Sequence, residues 1–134
     1  MRALARRADS CENAPMPIEI QTTDVKKLQE SGTKFVLLDV RQPEEVSTAA
    51  IEGALCIPMN EVMYRLDELD PAATVVVFCH LGGRSAHVSM MLQGRGFKDV
   101  RNMTGGIHAW AMSVDPSVPM YDYDGRSIRV HPRR

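Results

Sequence analysis

The segment that most constrains the fold is Thr74-Val75-Val76-Val77-Phe78-Cys79, followed by His80-Leu81-Gly82-Gly83-Arg84-Ser85. A strand with one face in water alternates polar and apolar residues. This run does not alternate after Thr74, so it reads as a strand buried on both faces. Asp70-Pro71 bounds it on one side. On the other side, Ser85 to Arg95 reads as a helix with Ala86, Val88, Met90, Met91 and Leu92 on a largely apolar surface, closed by Gly94 and Gly96. Strand, short turn and helix in this order place Cys79 at the carboxyl end of a central strand, where open α/β sheets carry their ligands.

The rest of the chain repeats the alternation. Pro17 to Gln21 reads as a short strand, and Thr22 or Thr23 can cap a helix carrying Val25 and Leu28 that stops near Gly32. Lys34 to Val40 reads as a core strand, Pro43 to Val46 as the start of a short helix, and Ala54 to Ile57 as a strand. Asn60 can cap a helix with Val62, Leu66 and Leu69 on one face. A short strand from Val100 to Asn102 and a last helix from Gly105 to Met112 follow. The fold class predicted is α/β, a parallel central sheet flanked by helices on both faces. The domain spans 17–121, with a flexible extension at 1–16 and a polar, basic tail at 122–134.

The chemistry points the same way. The loop after Cys79 lies at a helix N-terminus, where free N–H groups and the helix dipole favour negative charge. Gly82 and Gly83 can turn successive N–H groups inward as an anion nest. Arg84 adds a permanent positive charge. All three favour the thiolate, the nucleophilic form of cysteine. A buried strand cysteine before an ordinary glycine turn is the plainer alternative.

At these residues the chain resembles the rhodanese-like domains, specifically the single-domain sulfurtransferases. Cys79 to Arg84 matches their loop of Cys, four residues and Arg. Asp39-Val40-Arg41, Ile51-Glu52-Gly53-Ala54-Leu55-Cys56-Ile57-Pro58, Gly94 to Val100, and Met103 to Trp110 match further segments in order. The resemblance implies that Cys79 takes a sulfane sulfur from a small donor such as thiosulfate and becomes a persulfide. The loop N–H groups from His80 through Leu81, Gly82, Gly83 and Arg84 to Ser85 would cradle the outer sulfur. Cyanide, a thiol or a protein acceptor would then remove it, with no metal and no organic cofactor. Related phosphatases place the arginine one residue later, where this chain has Ser85, so phosphatase or arsenate chemistry is disfavoured. A binding module without turnover is the other alternative. Many relatives carry a histidine where Ala50 stands.

Composition excludes other classes. The net charge of −1 and the single tryptophan argue against nucleic-acid binding, and no apolar run reaches membrane-spanning length. The three cysteines, Cys11, Cys56 and Cys79, form no Cys-x-x-Cys pair. That disfavours a zinc site or a disulfide framework and fits a reducing, cytoplasmic setting. Cys56 is expected as a packed small hydrophobe, and Cys11 as an incidental thiol in a tail. Asp39 and Arg41 are accessory candidates: Arg41 either steers anions or pairs with a carboxylate such as Glu45, while Asp39 caps nearby backbone. His80 either tunes the thiolate, touches the acceptor, or points to solvent. His87 and His108 are expected as packing or surface residues. The N-terminal stretch lacks the apolar core of a secretory signal, and the arginine-rich C-terminal stretch is expected to be solvated.

Overall fold

The computed structural model describes residues 16–132. In chain order its elements are β1 (Glu19–Ile20), α1 (Thr22–Glu30), β2 (Val36–Asp39), α2 (Pro43–Thr48), β3 (Leu55–Cys56), 3₁₀ turns at Met59–Tyr64 and Leu66–Glu68, β4 (Thr74–Phe78), α3 (Gly83–Gly94), β5 (Asp99–Met103), α4 (Gly106–Ser113), β6 (Tyr121–Tyr123) and β7 (Ile128–Val130). The first five strands form one sheet in the order β1-β5-β4-β2-β3, and every pairing in it is parallel.

The unbroken apolar run of β4 is explained by its central place. Val76 and Phe78 face one side of the sheet and pack with Val25 of α1 and with Ile107, Trp110 and Ala111 of α4. Val75, Val77 and Cys79 face the other side, against Val88 and Leu92 of α3 and Val62 of the first 3₁₀ turn. The period-two geometry of a strand therefore feeds two separate cores. Fully burying a Val, Leu or Phe side chain contributes roughly 1.5–3 kcal/mol, so β4 and the residues packed on it hold much of the favourable free energy. Among the described residues, no helix is long and apolar enough to cross a membrane.

Four expectations are corrected. No side chain caps α1: Gln21 stands at its N-cap, and Thr22 is the buried first residue of the helix. The segment read as a helix capped by Asn60 is two 3₁₀ turns broken at Arg65. Val62 and Leu69 are buried as expected and Leu66 packs partly against them. Pro58 and Pro71 confine the stretch at both ends, and the residue before a proline is biased away from helix. Cys56 is exposed rather than packed. It sits on the edge strand β3, where alternation turns its neighbour Leu55 toward the core and Cys56 away.

The fourth correction concerns the polar stretch after Tyr121. It folds as an antiparallel hairpin, with Tyr121 opposite Val130 and Tyr123 opposite Ile128. The Asp124 carboxylate accepts the N–H groups of Arg126 and Ser127 at 2.8 and 2.7 Å, and Gly125 takes the positive φ of +95° that the turn demands. Tyr123 and Ile128 pack against the core on the α1–α4 side. Arg2, Arg6, Arg7, Cys11, Arg133 and Arg134 lie outside the described residues.

Leu38 is completely buried on the α3 side. Leu38→Ala is expected to lower the unfolding free energy by about 2–5 kcal/mol, read as a shifted midpoint with an unchanged slope in urea titration.

Candidate functional site

Cys79 follows the last residue of β4 and is 1% exposed. The chain must turn at once to enter α3, and Gly82 makes this possible with a φ of +110°. The turn brings the Gly82 N–H to 3.1 Å from Cys79 Sγ. One helical turn on, the buried Ser85 hydroxyl lies 3.3 Å from the same sulfur and 3.2 Å from the Gly82 carbonyl, and its single proton can be donated to either. The N–H groups of Gly83, Arg84 and Ser85 open α3 and have no partner within the helix. Negative charge on Sγ thus meets a backbone donor, a hydroxyl and the positive end of a helix dipole.

The loop is braced from behind by α4. Its N–H groups also need acceptors, and two of them find the loop itself. Ile107 donates to the Cys79 carbonyl at 2.9 Å, and His108 donates to the His80 carbonyl at 3.1 Å. So close an approach leaves no room for a side chain at Gly106: a Cβ there would lie 2.5 Å from both carbonyl oxygens. Asn102 of β5 adds a third brace, donating to the Gly82 carbonyl at 3.3 Å.

Arg84 does not stand alone. Its guanidinium forms two hydrogen bonds, 2.7 and 2.8 Å long, with the fully buried carboxylate of Glu45. Glu45 also receives the Tyr121 hydroxyl at 2.9 Å and the Gln42 N–H at 3.2 Å, closing a capping box on α2. Burial would push the Glu45 carboxyl up. The Arg84 hydrogen bonds, aided by Gln42 and Tyr121, overrule it and hold the group below the ordinary carboxylate range. The permanent positive charge of Arg84 is therefore shared with an internal anion.

Asp39 and Arg41 lie beneath the site rather than in it. Arg41 is 1% exposed and grips both Asp39 oxygens, at 2.9 and 2.6 Å. It also donates to the Glu45 carbonyl at 3.2 Å and to the Tyr121 hydroxyl at 3.1 Å. Burial alone would lower its affinity for a proton, but the hydrogen bonds and charge of Asp39 raise it. Asp39 also caps the backbone N–H of Arg41. Anion steering by Arg41 is thus replaced by an internal pair with Asp39. The carboxylate of Glu45, named beforehand as its example partner, binds Arg84 instead.

His80 turns inward rather than to solvent. Its Nε2 lies 2.8 Å from the Tyr121 carbonyl, so this nitrogen carries the proton. The ring stacks on Tyr121 with centroids 4.1 Å apart. Burial lowers its pKa against the opposing pull of that carbonyl, which keeps the ring neutral at neutral pH. His87 is exposed, and His108 packs edge-on to His80. Leu81 stands at the loop tip, 61% exposed. Ala50 lines a separate depression with Ile51 and Trp110.

An open cavity of about 620 Å³ lies over the sulfur. Cys79, His80, Leu81, Gly83 and Arg84 of the loop line it, together with Gln42 and Glu44 at the start of α2 and Tyr123 and Gly125 of the hairpin. No group of three or more His, Cys, Asp or Glu among the described residues is arranged to hold a metal ion. Sequence reasoning missed Glu45 as a site residue, and missed Tyr121 and Tyr123 altogether. The alternation Tyr121-Asp122-Tyr123 before Asp124-Gly125 was the available signal, since Asp-Gly between alternating residues marks a hairpin.

Residues 21–113 match the family model described as Rhodanese-like domain. The chain is 42% identical over 89 residues to the Rhodanese-like/PpiC domain-containing protein 12, chloroplastic, of Arabidopsis thaliana, covering 63% of this chain and 30% of that protein. It is 36% identical over 98 residues to the putative sulfurtransferase YtwF of Bacillus subtilis, covering 73% and 94% of the two chains. The crystal structure of a rhodanese-like domain protein from Staphylococcus aureus superposes with a TM-score of 0.68 at 30% identity, covering 75% of this chain and 95% of the other. Several larger relatives are matched over only 26–30% of their length.

Two outcomes test this geometry. Gly106→Ala places a methyl group against two carbonyls at a φ of +61° and is expected to cost about 2 kcal/mol or more, measured by urea unfolding. For Glu45, a depressed native pKa means that its stabilising effect is complete above the ordinary value of 4.5 and is lost as pH falls through the native value. The stability gap between the parent and Glu45→Gln should therefore narrow as pH is lowered below about 4.5, measured by unfolding at a series of pH values. A gap independent of pH would show that Glu45 is not held ionised.

Proposed function

Because the chain belongs to the rhodanese-like domain family, we propose that it is a sulfurtransferase that carries sulfane sulfur on Cys79 as a persulfide. The observation that carries this reading is the pair of donors on Cys79 Sγ, the Gly82 N–H at 3.1 Å and the Ser85 hydroxyl at 3.3 Å. Hydrogen bonds to an ionised acceptor are roughly twice as strong as neutral ones, so this setting suits negative charge on a sulfur that lines an open cavity.

With thiosulfate as donor, the Cys79 thiolate attacks the outer sulfur. A new S–S bond forms, the S–S bond of thiosulfate breaks, and its electron pair leaves on sulfite. The negative charge moves to the outer sulfur of the persulfide, within reach of the N–H groups that open α3. Cyanide, or a thiolate on a small molecule or on a protein, then attacks that outer sulfur and Cys79 leaves as the thiolate. One difficult transfer is thereby divided into two displacements at the same cysteine.

Each loop residue has a role in this scheme. Gly82 and Ser85 hold the sulfur. Arg84 offers its exposed edge to an anionic donor while Glu45 fixes its position. His80, Leu81 and Gly83 line the approach. Asp39 and Arg41 act as positioning residues that support Glu45 and Tyr121. A reducing compartment, such as the cytoplasm, keeps Cys79 available between turnovers.

The test is intact-protein mass spectrometry of reduced, desalted protein after thiosulfate treatment. The parent should gain one sulfur atom that cyanide removes, and Cys79→Ala should gain none. A folded parent with an alkylatable Cys79 and no sulfur gain would sink the thiosulfate reading and favour a binding module.

A further inference from the structure

The hairpin β6–β7 contributes a wall to the cavity over Cys79, yet it lies beyond residues 21–113, the part that matches the family model. Its placement is rigidly determined. Tyr121 is 1% exposed, with its hydroxyl between Arg41 and Glu45 and its carbonyl on His80. At the other end, His131 donates its N–H to the Met120 carbonyl at 2.8 Å, and its ring pairs with Asp122 at 2.9 Å. Between these anchors the half-buried ring of Tyr123 faces the cavity and lies 5.8 Å from the Arg84 guanidinium, within range of a cation–π contact.

Two features of the cavity are poorly matched to a small inorganic ion alone. Its volume, about 620 Å³, falls in the range of roughly 300–1,000 Å³ typical of sites for drug-sized organic ligands. Its charge is also balanced. Arg84 is paired with buried Glu45, the ring of Tyr123 lies over its guanidinium, and Glu44 also lines the cavity. The exposed edge of Arg84 and the first N–H groups of α3 can meet a small anion, but they account for only part of this lining. An aromatic face, a glycine and a few polar groups around a thiolate fit a peptide-sized organic thiol.

We propose that the C-terminal hairpin is a substrate-selecting wall, and that Tyr123 contacts the organic part of a low-molecular-weight thiol, bound either as the thiol acceptor or as its persulfide. This rests on the reading of Cys79 as a sulfur carrier. As donor, R–S–SH is attacked at its outer sulfur by the Cys79 thiolate. The Cys79–sulfur bond forms, the donor S–S bond breaks, and the departing RS⁻ takes the proton of the transferred sulfur, giving R–SH and Cys79–S–S⁻. As acceptor, RS⁻ attacks the outer sulfur and Cys79 leaves as thiolate. Neither direction needs an external oxidant or reductant.

The experiment measures both half-reactions by intact mass with glutathione as the organic probe. Loading is followed from glutathione persulfide and from thiosulfate, and discharge to glutathione and to cyanide. The proteins are the parent, Tyr123→Leu, which keeps apolar bulk on the hairpin, and Tyr123→Phe, which keeps the ring. Tyr123→Leu is expected to lower the organic-to-inorganic ratio of kcat/KM about fivefold in at least one half-reaction, through KM, while Tyr123→Phe preserves it. A fall in the loading ratio assigns the organic group to the donor, and a fall in the discharge ratio assigns it to the acceptor. An unchanged ratio in both overturns the proposal, whether or not the absolute rates change. If the parent loads from thiosulfate but exchanges no sulfur with either glutathione species, the wall proposal alone fails. If it loads from neither donor, the sulfur-carrier reading fails first.

Discussion

Two peptide N–H groups at the start of α4, those of Ile107 and His108, hold the carbonyls of Cys79 and His80. Everything at the site depends on this contact. The strand that delivers Cys79 ends in carbonyls that would otherwise be buried without partners, and the helix behind begins with donors that would be equally bare. Joining the two satisfies both and fixes the backbone from which the loop departs. Gly106 is the condition for that join, because the space a side chain would need is occupied by the carbonyls themselves. The α4 donors thus act on the backbone of Cys79, and those at the start of α3 are left for its sulfur.

Charge is arranged with similar economy. Asp39, Arg41, Tyr121, Glu45 and Arg84 form one connected series of hydrogen bonds running from beneath the loop to its surface. Two cations and two anions balance within it. Buried charges destabilise unless paired, and here each has a partner of opposite sign. Beside this network the sulfur faces oriented dipoles, the Gly82 N–H, the Ser85 hydroxyl and the first turn of α3. Such dipoles are held aligned by the fold, and they need no reorganisation to meet negative charge at the sulfur.

The parts of this arrangement that could be read from the chain are those governed by local rules. The unbroken run before Cys79 could only be a doubly covered strand, and the observed sheet has it at the centre. The glycine pair after it marked a turn into a helix, and the helix begins at Gly83, two residues ahead of the expected start at Ser85. What could not be read depended on residues far apart in sequence. Glu45 and Arg84 are neighbours only because α2 and α3 lie over the same end of the sheet. The partner of Arg41 was open between carboxylates on equal local grounds, and Asp39 is the one its side chain grips. Cys56 was expected inside because its strand was expected to be central, and an edge position reverses that. The polar composition after Tyr121 concealed a hairpin whose alternation and Asp-Gly turn were visible but short.

The order of the chain gives Tyr121 a further meaning. The five-stranded sheet and the loop of Cys79 are formed by residues that precede it, whereas its hydroxyl joins Arg41 and Glu45 across sequence separations of 80 and 76 residues. A chain emerging from the ribosome in sequence order can form its framework before this residue is free to fold back. The centre around Cys79 then closes only after the strands and helices that precede Tyr121 in sequence. Until that moment the incomplete protein holds its cysteine in an unfinished pocket, with Glu45 lacking one of its donors and His80 lacking the carbonyl that orients it.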